Sequence, residues 1–162
     1  MAKKTGLAQK ELAKETTELL KGVLLCVSKK EQELEVLRQF LCTNMNFEPY
    51  SSFQRLDRNE DGFLQPLDFL NFLRENGITE ATEADCYYIV KFFDADEDGK
   101  LSYPEYLQII LPCLNHKLRA STTQRPVQFC KPQDYLAIDV EQDLSRLFKK
   151  EVDMHVDGEL LK

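Results

Sequence analysis

Residues 94–105 read DADEDGKLSYPE. Acidic residues hold the first, third, fifth and twelfth places of this run (Asp94, Asp96, Asp98 and Glu105), and Gly99 holds the sixth. A solvated acidic patch needs no such spacing, but a site that must surround something with oxygen does. Alternation lets a tight loop turn three carboxylates inward, and glycine permits the sharp turn. Lys100, at the seventh place, contributes its backbone carbonyl. Ser102, at the ninth, holds or bridges a water, and Glu105 is long enough to offer both oxygens. Leu101, at the eighth, is apolar and fits a short strand that pairs with another loop. A hard divalent cation takes about six to eight oxygens, which is what this set supplies.

A second run of the same kind lies upstream. Residues 57–68 read DRNEDGFLQPLD. Asp57, Asn59 and Asp61 take the first three ligand places, Gly62 the turn, Phe63 the carbonyl place and Leu64 the strand place. The ninth place is Gln65, and the twelfth is Asp68 rather than glutamate. Aspartate is shorter by one carbon–carbon bond, about 1.5 Å, and reaches the ion with both oxygens only if the loop tightens. Pro66 stiffens the loop exit. Two outcomes stay open for this loop: weak Ca²⁺ or Mg²⁺ binding, or an empty loop that folds as a partner for the other.

Both loops lie between helical stretches. FEPYSSFQRL starts a short helix near Pro49; FLNFLREN is amphipathic and is stopped by Gly77. TEADCYYIVKFF opens with a capping box of Thr82 and Asp85 and runs into Asp94; YLQIIL ends at Pro112. Helix, loop, helix thus occurs twice, with the loops starting 37 residues apart at Asp57 and Asp94.

Residues 47–112 resemble a paired EF-hand lobe of the calmodulin and troponin C superfamily. The resemblance implies an all-α, four-helix lobe whose loops touch back to back through a short two-stranded bridge at Leu64 and Leu101. It implies calcium ligands at Asp94, Asp96, Asp98, Lys100 (carbonyl) and Glu105, and at Asp57, Asn59, Asp61, Phe63 (carbonyl) and Asp68. The chain is also similar to EF-hand proteins of ciliated protists, in which a charged lead helix precedes each pair. KKEQELEVLRQFL and FKKEVDMHVDGELLK resemble two copies of such a helix.

The remaining sequence divides into a helical segment at 1–46, the lobe at 47–114, a linker at 115–138 and a C-terminal helix at 139–162. In the first segment Leu12, Thr16, Leu19, Leu20, Val23, Leu24 and Val27 recur at helical spacing, and Leu34, Leu37, Phe40 and Leu41 continue the stripe after a charged break. One long helix or two with a break near Ser28 fit equally, capping the lobe core or binding a partner helix. Residues 115–135 hold two prolines, four basic residues and one acid; they read as an extended linker lying across the acidic lobe. The C-terminal stripe passes through Val140, Leu144, Leu147, Phe148 and Val152. DMHVDGEL could instead open a third loop through Asp153, His155, Asp157, Gly158 and Leu160, but no twelfth-place carboxylate follows, so helix is favoured.

Composition excludes other classes. The chain has 162 residues, 43% of them apolar, and a formal net charge of −7, against a general nucleic-acid-binding role. Five cysteines form no CxxC pair and read as reduced thiols of a cytoplasmic protein. No stretch is apolar for the roughly 18 residues of a membrane span, and Glu11, Glu15 and Glu18 are unlike a targeting peptide. No phosphate loop, nucleophile elbow or triad is present, so an enzyme is not expected. Two roles remain. In the first, a calcium sensor exposes an apolar groove, lined by some of Phe69, Phe72, Phe92, Phe93 and Tyr106, to a dedicated protein partner. In the second, a structural scaffold in a cytoskeletal or ciliary assembly makes contacts through its terminal helices. Sensor leads scaffold, and a buffer, which wants two strong loops, trails both.

Overall fold

The structure is a computed structural model that describes residues 2–131 and 134–160, without the side chains of 2–9, Val23, Val27, Glu159 and Leu160. It is all-α. Among the described residues seven helices follow in order: α1 (Ala2–Thr43), α2 (Pro49–Leu56), α3 (Pro66–Glu75), α4 (Glu83–Phe93), α5 (Tyr103–Ile110), α6 (His116–Thr123) and α7 (Ile138–Leu160). The chain divides into two compact units, Met1–Glu33 and Leu34–Lys162.

The first unit is helix throughout its described length, with no break near Ser28. Its leucines Leu12, Leu19, Leu20, Leu24 and Leu25 are all exposed. The boundary between the two units falls at Glu33.

The second unit contains the lobe. Local chemistry sets its helix ends. The Glu48 side chain accepts from the N–H groups of Tyr50 and Ser51, and Pro49 follows at a position that needs no donor. Thr82 and Asp85 close the expected capping box at 3.2 and 2.8 Å. Gly77 ends the α3 turn with φ +82°, a conformation that costs glycine little. Between the helices lies one antiparallel bridge, Leu64 to Leu101, with both N–H···O bonds at 2.8 Å.

One apolar core fills the lobe. Phe69, Phe72 and Tyr106 belong to it, and the Tyr106 hydroxyl is satisfied by Ser52 at 2.9 Å. Phe93 is partly buried, whereas Phe92, expected in the core or groove, is 66% exposed and lies against the His155 ring.

Helix α7 completes this core. Val140, Leu144, Leu147, Phe148 and Val152 are buried in it, and the helix packs on α3 and α4. The Phe148 ring meets Phe69 and Phe72 edge-on at 5.3 and 5.6 Å, with Tyr106 at 6.4 Å. The last turns of α1 pack on the same core through Leu34, Leu37, Leu41 and Cys42.

Two expectations are corrected. The stretch read as an extended linker contains α6, started by Asn115, whose side chain accepts from Leu118 N–H at 3.0 Å. Two of its basic residues make other contacts: the Arg125 guanidinium caps the end of α1, donating to the carbonyls of Cys42, Asn44 and Phe47, and Arg119 donates to the Pro112 carbonyl. The third-loop alternative also fails, because α7 stays helical through Asp153, His155, Asp157 and Gly158; the Leu160 side chain lies outside the described residues.

Candidate metal centre

The two loops share one backbone path. Gly62 and Gly99, at the sixth places, have φ of +80° and +84°. Glu60 and Glu97, at the fourth places, also have positive φ, 54° and 57°. In each loop the first aspartate organises this turn. Asp94 accepts from Gly99 N–H at 2.7 Å and Asp98 N–H at 3.2 Å. Asp57 does the same with Gly62 at 2.9 Å and Asp61 at 3.2 Å. The seventh-place side chains meet above the bridge, where the Lys100 ammonium sits 3.8 Å from the Phe63 ring centroid. This frees both residues to offer only their carbonyls to a site.

The loops differ in how their carboxylates converge. In the second, one oxygen each from Asp94, Asp96 and Asp98 lies within 4.8 Å of the others. Oxygens at about 2.4 Å from a common calcium ion fall within that separation. Among the described residues no other three acidic, histidine or cysteine side chains do this. Glu105 lies over the loop: Oε1 accepts from Ala95 N–H at 3.0 Å, and Oε2 from the Ser102 N–H and hydroxyl at 2.8 and 3.0 Å. A carboxylate has about four acceptor sites, so it keeps capacity for a cation. The chemistry of this donor set, all hard oxygen, fits calcium.

In the first loop Asp57, Asp61 and Asp68 do not form such a group. Asp68 accepts from Gln65 N–H at 2.8 Å, closing the α3 capping box. It does not reach across the loop as Glu105 does: Arg58 N–H, the counterpart of Ala95, donates instead to Leu56 carbonyl at 2.9 Å. Asn59 donates to Asp61 at 3.2 Å.

The charges respond accordingly. Burial pushes the Asp68 carboxyl up to about 6, the charges of Asp57 and Asp61 add to this, and Gln65 N–H opposes it. Burial also raises Asp57. At Asp94 desolvation acts upward, but bonds from Gly99 N–H, Asp96 and the Asp98 and Glu97 N–H groups together outweigh it and lower the value. Asp96 is raised, first by sharing a hydrogen bond with Asp94. A cation would relieve the crowding in both loops.

The lobe is braced by charged residues whose role the sequence did not suggest. Arg55, fully buried, donates from Nε to Glu141 at 2.7 Å and from Nη2 to Glu75 at 2.7 Å. Glu141 also accepts from Asn76 Nδ2 and Leu136 N–H, both at 2.9 Å. Arg38 donates to Ile109 carbonyl at 2.9 Å and to Glu151 at 2.8 Å. Glu35 accepts from the N–H groups of Cys113 and Leu114, so it caps the exit of the second hand. The available signal was the repeat itself: Arg55 stands where the second hand has Phe92, a charge at a position whose counterpart is aromatic.

All five cysteines are free, with Cys42 and Cys86 buried. Among the described residues no helix is long and apolar enough to cross a membrane.

A comparison with curated proteins finds no match. Residues 50–111 match the family model of the EF-hand domain pair, which covers both loops, their four flanking helices and the bridge between them. With that match and an oxygen cradle in place, residues 50–111 of the chain are an EF-hand domain pair, a module whose family supports calcium binding.

Proposed function

We propose that the second loop is the working calcium site, held by Asp94, Asp96, Asp98, the Lys100 carbonyl and Glu105. The first loop takes Ca²⁺ or Mg²⁺ more weakly through Asp57, Asn59, Asp61, the Phe63 carbonyl and Asp68. The lobe then acts as a calcium-stabilised protein-binding module with a closed groove, and its protein contacts are made outside that groove. The exposed leucines of α1 before Glu33 are suited to such contacts.

The observation that carries this reading is the seat of Phe148 among Phe69, Phe72 and Tyr106. The surface that a sensor would offer to a partner is covered by α7. Burying its five apolar side chains is worth roughly 8–15 kcal/mol, at about 1.5–3 kcal/mol each. Calcium at a thousand times its dissociation constant supplies only about 4 kcal/mol. Ion binding alone therefore does not lift α7 from the groove.

A sensor remains the second reading, because Glu105 lies next to Tyr106, which touches Phe148. A shift of α5 would be felt by α7. A dye that fluoresces in apolar grooves separates the two readings. In excess calcium the full chain should melt several degrees higher than in chelator, with unchanged dye fluorescence. Calcium-dependent dye fluorescence would instead establish groove opening and the sensor reading.

A further inference from the structure

We propose that Glu141, on α7, is a positioning residue for the first calcium loop, so that docking of α7 sets the affinity of that loop and not of the second. The inference rests on the reading of the first loop as a weak cation site.

The argument follows the bonds outward from Asp57, the first ligand place. Arg55 lies two residues before it, in the last turn of α2, and Arg58 follows it directly. Both arginines donate to one oxygen of Glu75, at 2.7 and 2.5 Å. Glu75 ends α3, and Asp68, the twelfth ligand place, lies in the first turn of the same helix. The helices that carry the first and last ligand places are therefore tied to each other. Glu141 then ties both to α7: it takes Arg55 Nε from the α2 side and Asn76 Nδ2 from the α3 side.

Arg55 has no freedom to adjust. It lies against the rings of Phe72 and Tyr135, at 5.1 and 4.6 Å, and its Nη1 has no hydrogen-bond partner. A buried ion pair with an orphaned donor is a poor source of stability, and its best-attested use is to fix one geometry. Asp68 is too short to tolerate slack between the two ends of the loop, so geometry is what this site lacks.

The second hand provides the internal control. Its residues at the positions of Arg55, Arg58, Glu75 and Asn76 are Phe92, Ala95, Pro112 and Cys113. None of them can form the ion pairs. α7 meets this hand through ring contacts, His155 tilted against Phe92 at 4.6 Å and Phe148 against Tyr106 at 6.4 Å, and through Arg38, which joins Glu151 to the Ile109 carbonyl in the last turn of α5, away in sequence from both ends of the loop.

The test is a calcium titration of the full chain followed at the amides of Gly62 and Gly99, one reporter per loop. Glu141→Gln keeps the shape and removes the charge. It should weaken the Gly62 transition about tenfold, a usual size for coupling between sites, and leave Gly99 unchanged. Asn76→Ala cuts only the α3 arm and should weaken Gly62 alone, by a few-fold; it decides the matter if Glu141→Gln does not fold. Glu151→Gln breaks another tie of α7, to Arg38, and should leave the ratio of the two affinities as in the wild type. A structural role alone would lower the melting temperature without separating the loops. Equal Gly62 transitions in wild type, Glu141→Gln and Asn76→Ala overturn the inference while the weak site stands. A wild-type Gly62 amide that ignores both calcium and magnesium removes the weak site, and the inference with it.

Discussion

The two hands share a backbone and differ in what closes it. Positive φ values at the fourth and sixth places match within a few degrees, and a symmetric pair of 2.8 Å bonds joins the loops. Yet Glu105 reaches back over its loop to Ala95 N–H, while Asp68 stops at its own helix cap. Around the second loop the neighbouring positions are apolar or neutral. Around the first they carry Arg55, Arg58, Glu75 and Asn76, all drawn into one network with Glu141. The difference teaches that a loop can lose reach at its last ligand place and keep its shape, provided that its flanking helices are held from outside.

The largest effect is expected where that reach is removed. Glu105→Gln takes away a charge and weakens two potential ligand oxygens in one change. Calcium affinity at the second loop should fall by well over the ~10–100-fold that loss of an outer-shell partner costs a metal site. The parallel change Asp68→Asn should cost the first loop far less, because Asp68 has less to contribute. Calorimetry on both variants checks the contrast. Similar losses in the two hands would mean that the loops are equivalent and that the reading of Asp68 as a short ligand is wrong.

Much of this contrast was legible in the sequence, for a physical reason. A cation site needs particular atoms at particular steps along the chain, so both loops and the shorter side chain at the first loop's twelfth place follow from spacing, while the Leu64–Leu101 bridge follows from the apolar eighth places together with the resemblance to a paired EF-hand lobe. Proline and capping residues likewise marked the ends of α2 to α5. Docking of α7 was not legible, because a stripe such as Val140, Leu144, Leu147, Phe148 and Val152 tells which face is apolar and not what it faces. Helix α6 was missed because His116–Thr123 ends in weak helix formers. It is held by contacts from outside the segment, among them Arg119 donating to Pro112 carbonyl at 3.1 Å. The Arg55 and Glu141 pair joins residues 86 apart in sequence, beyond any local pattern.

A smaller change should move the hands closer together. Asp68→Glu restores the missing carbon and lets the twelfth place reach across to Arg58 N–H as Glu105 does to Ala95. A second binding event should strengthen by about tenfold, within the usual range of coupling and ligand effects. Calorimetry that finds the first loop unchanged would place the defect in Pro66 or in the loop path rather than in side-chain length.

The smallest expected difference is in pH. In the metal-free lobe burial pushes Asp68 up to about 6, above the ordinary aspartate value of 3.8, with the negative charges of Asp57 and Asp61 adding to it. A raised folded-state value means that the folded chain holds the proton more tightly than the unfolded chain does. The ionised carboxylate therefore costs metal-free stability above pH 6. That cost is relieved as the pH falls through 6 towards 4, so the Asp68 contribution to metal-free stability improves over this window. Calcium requires the carboxylate, so its effect runs the other way. Between pH 7 and pH 5.5 the ionised fraction of a group with a value near 6 drops about fourfold, and the affinity of the first loop should drop by the same factor. In the second loop Asp94 is held below its ordinary value by its hydrogen-bond donors, and Asp96 is raised first by the hydrogen bond it shares with Asp94, which a cation bound to both would replace. The second loop should accordingly lose less over the same interval. Titrations at the two pH values, read at Gly62 and Gly99, measure the two losses separately. Parallel losses in both loops would show that the burial of Asp68 does not survive in solution.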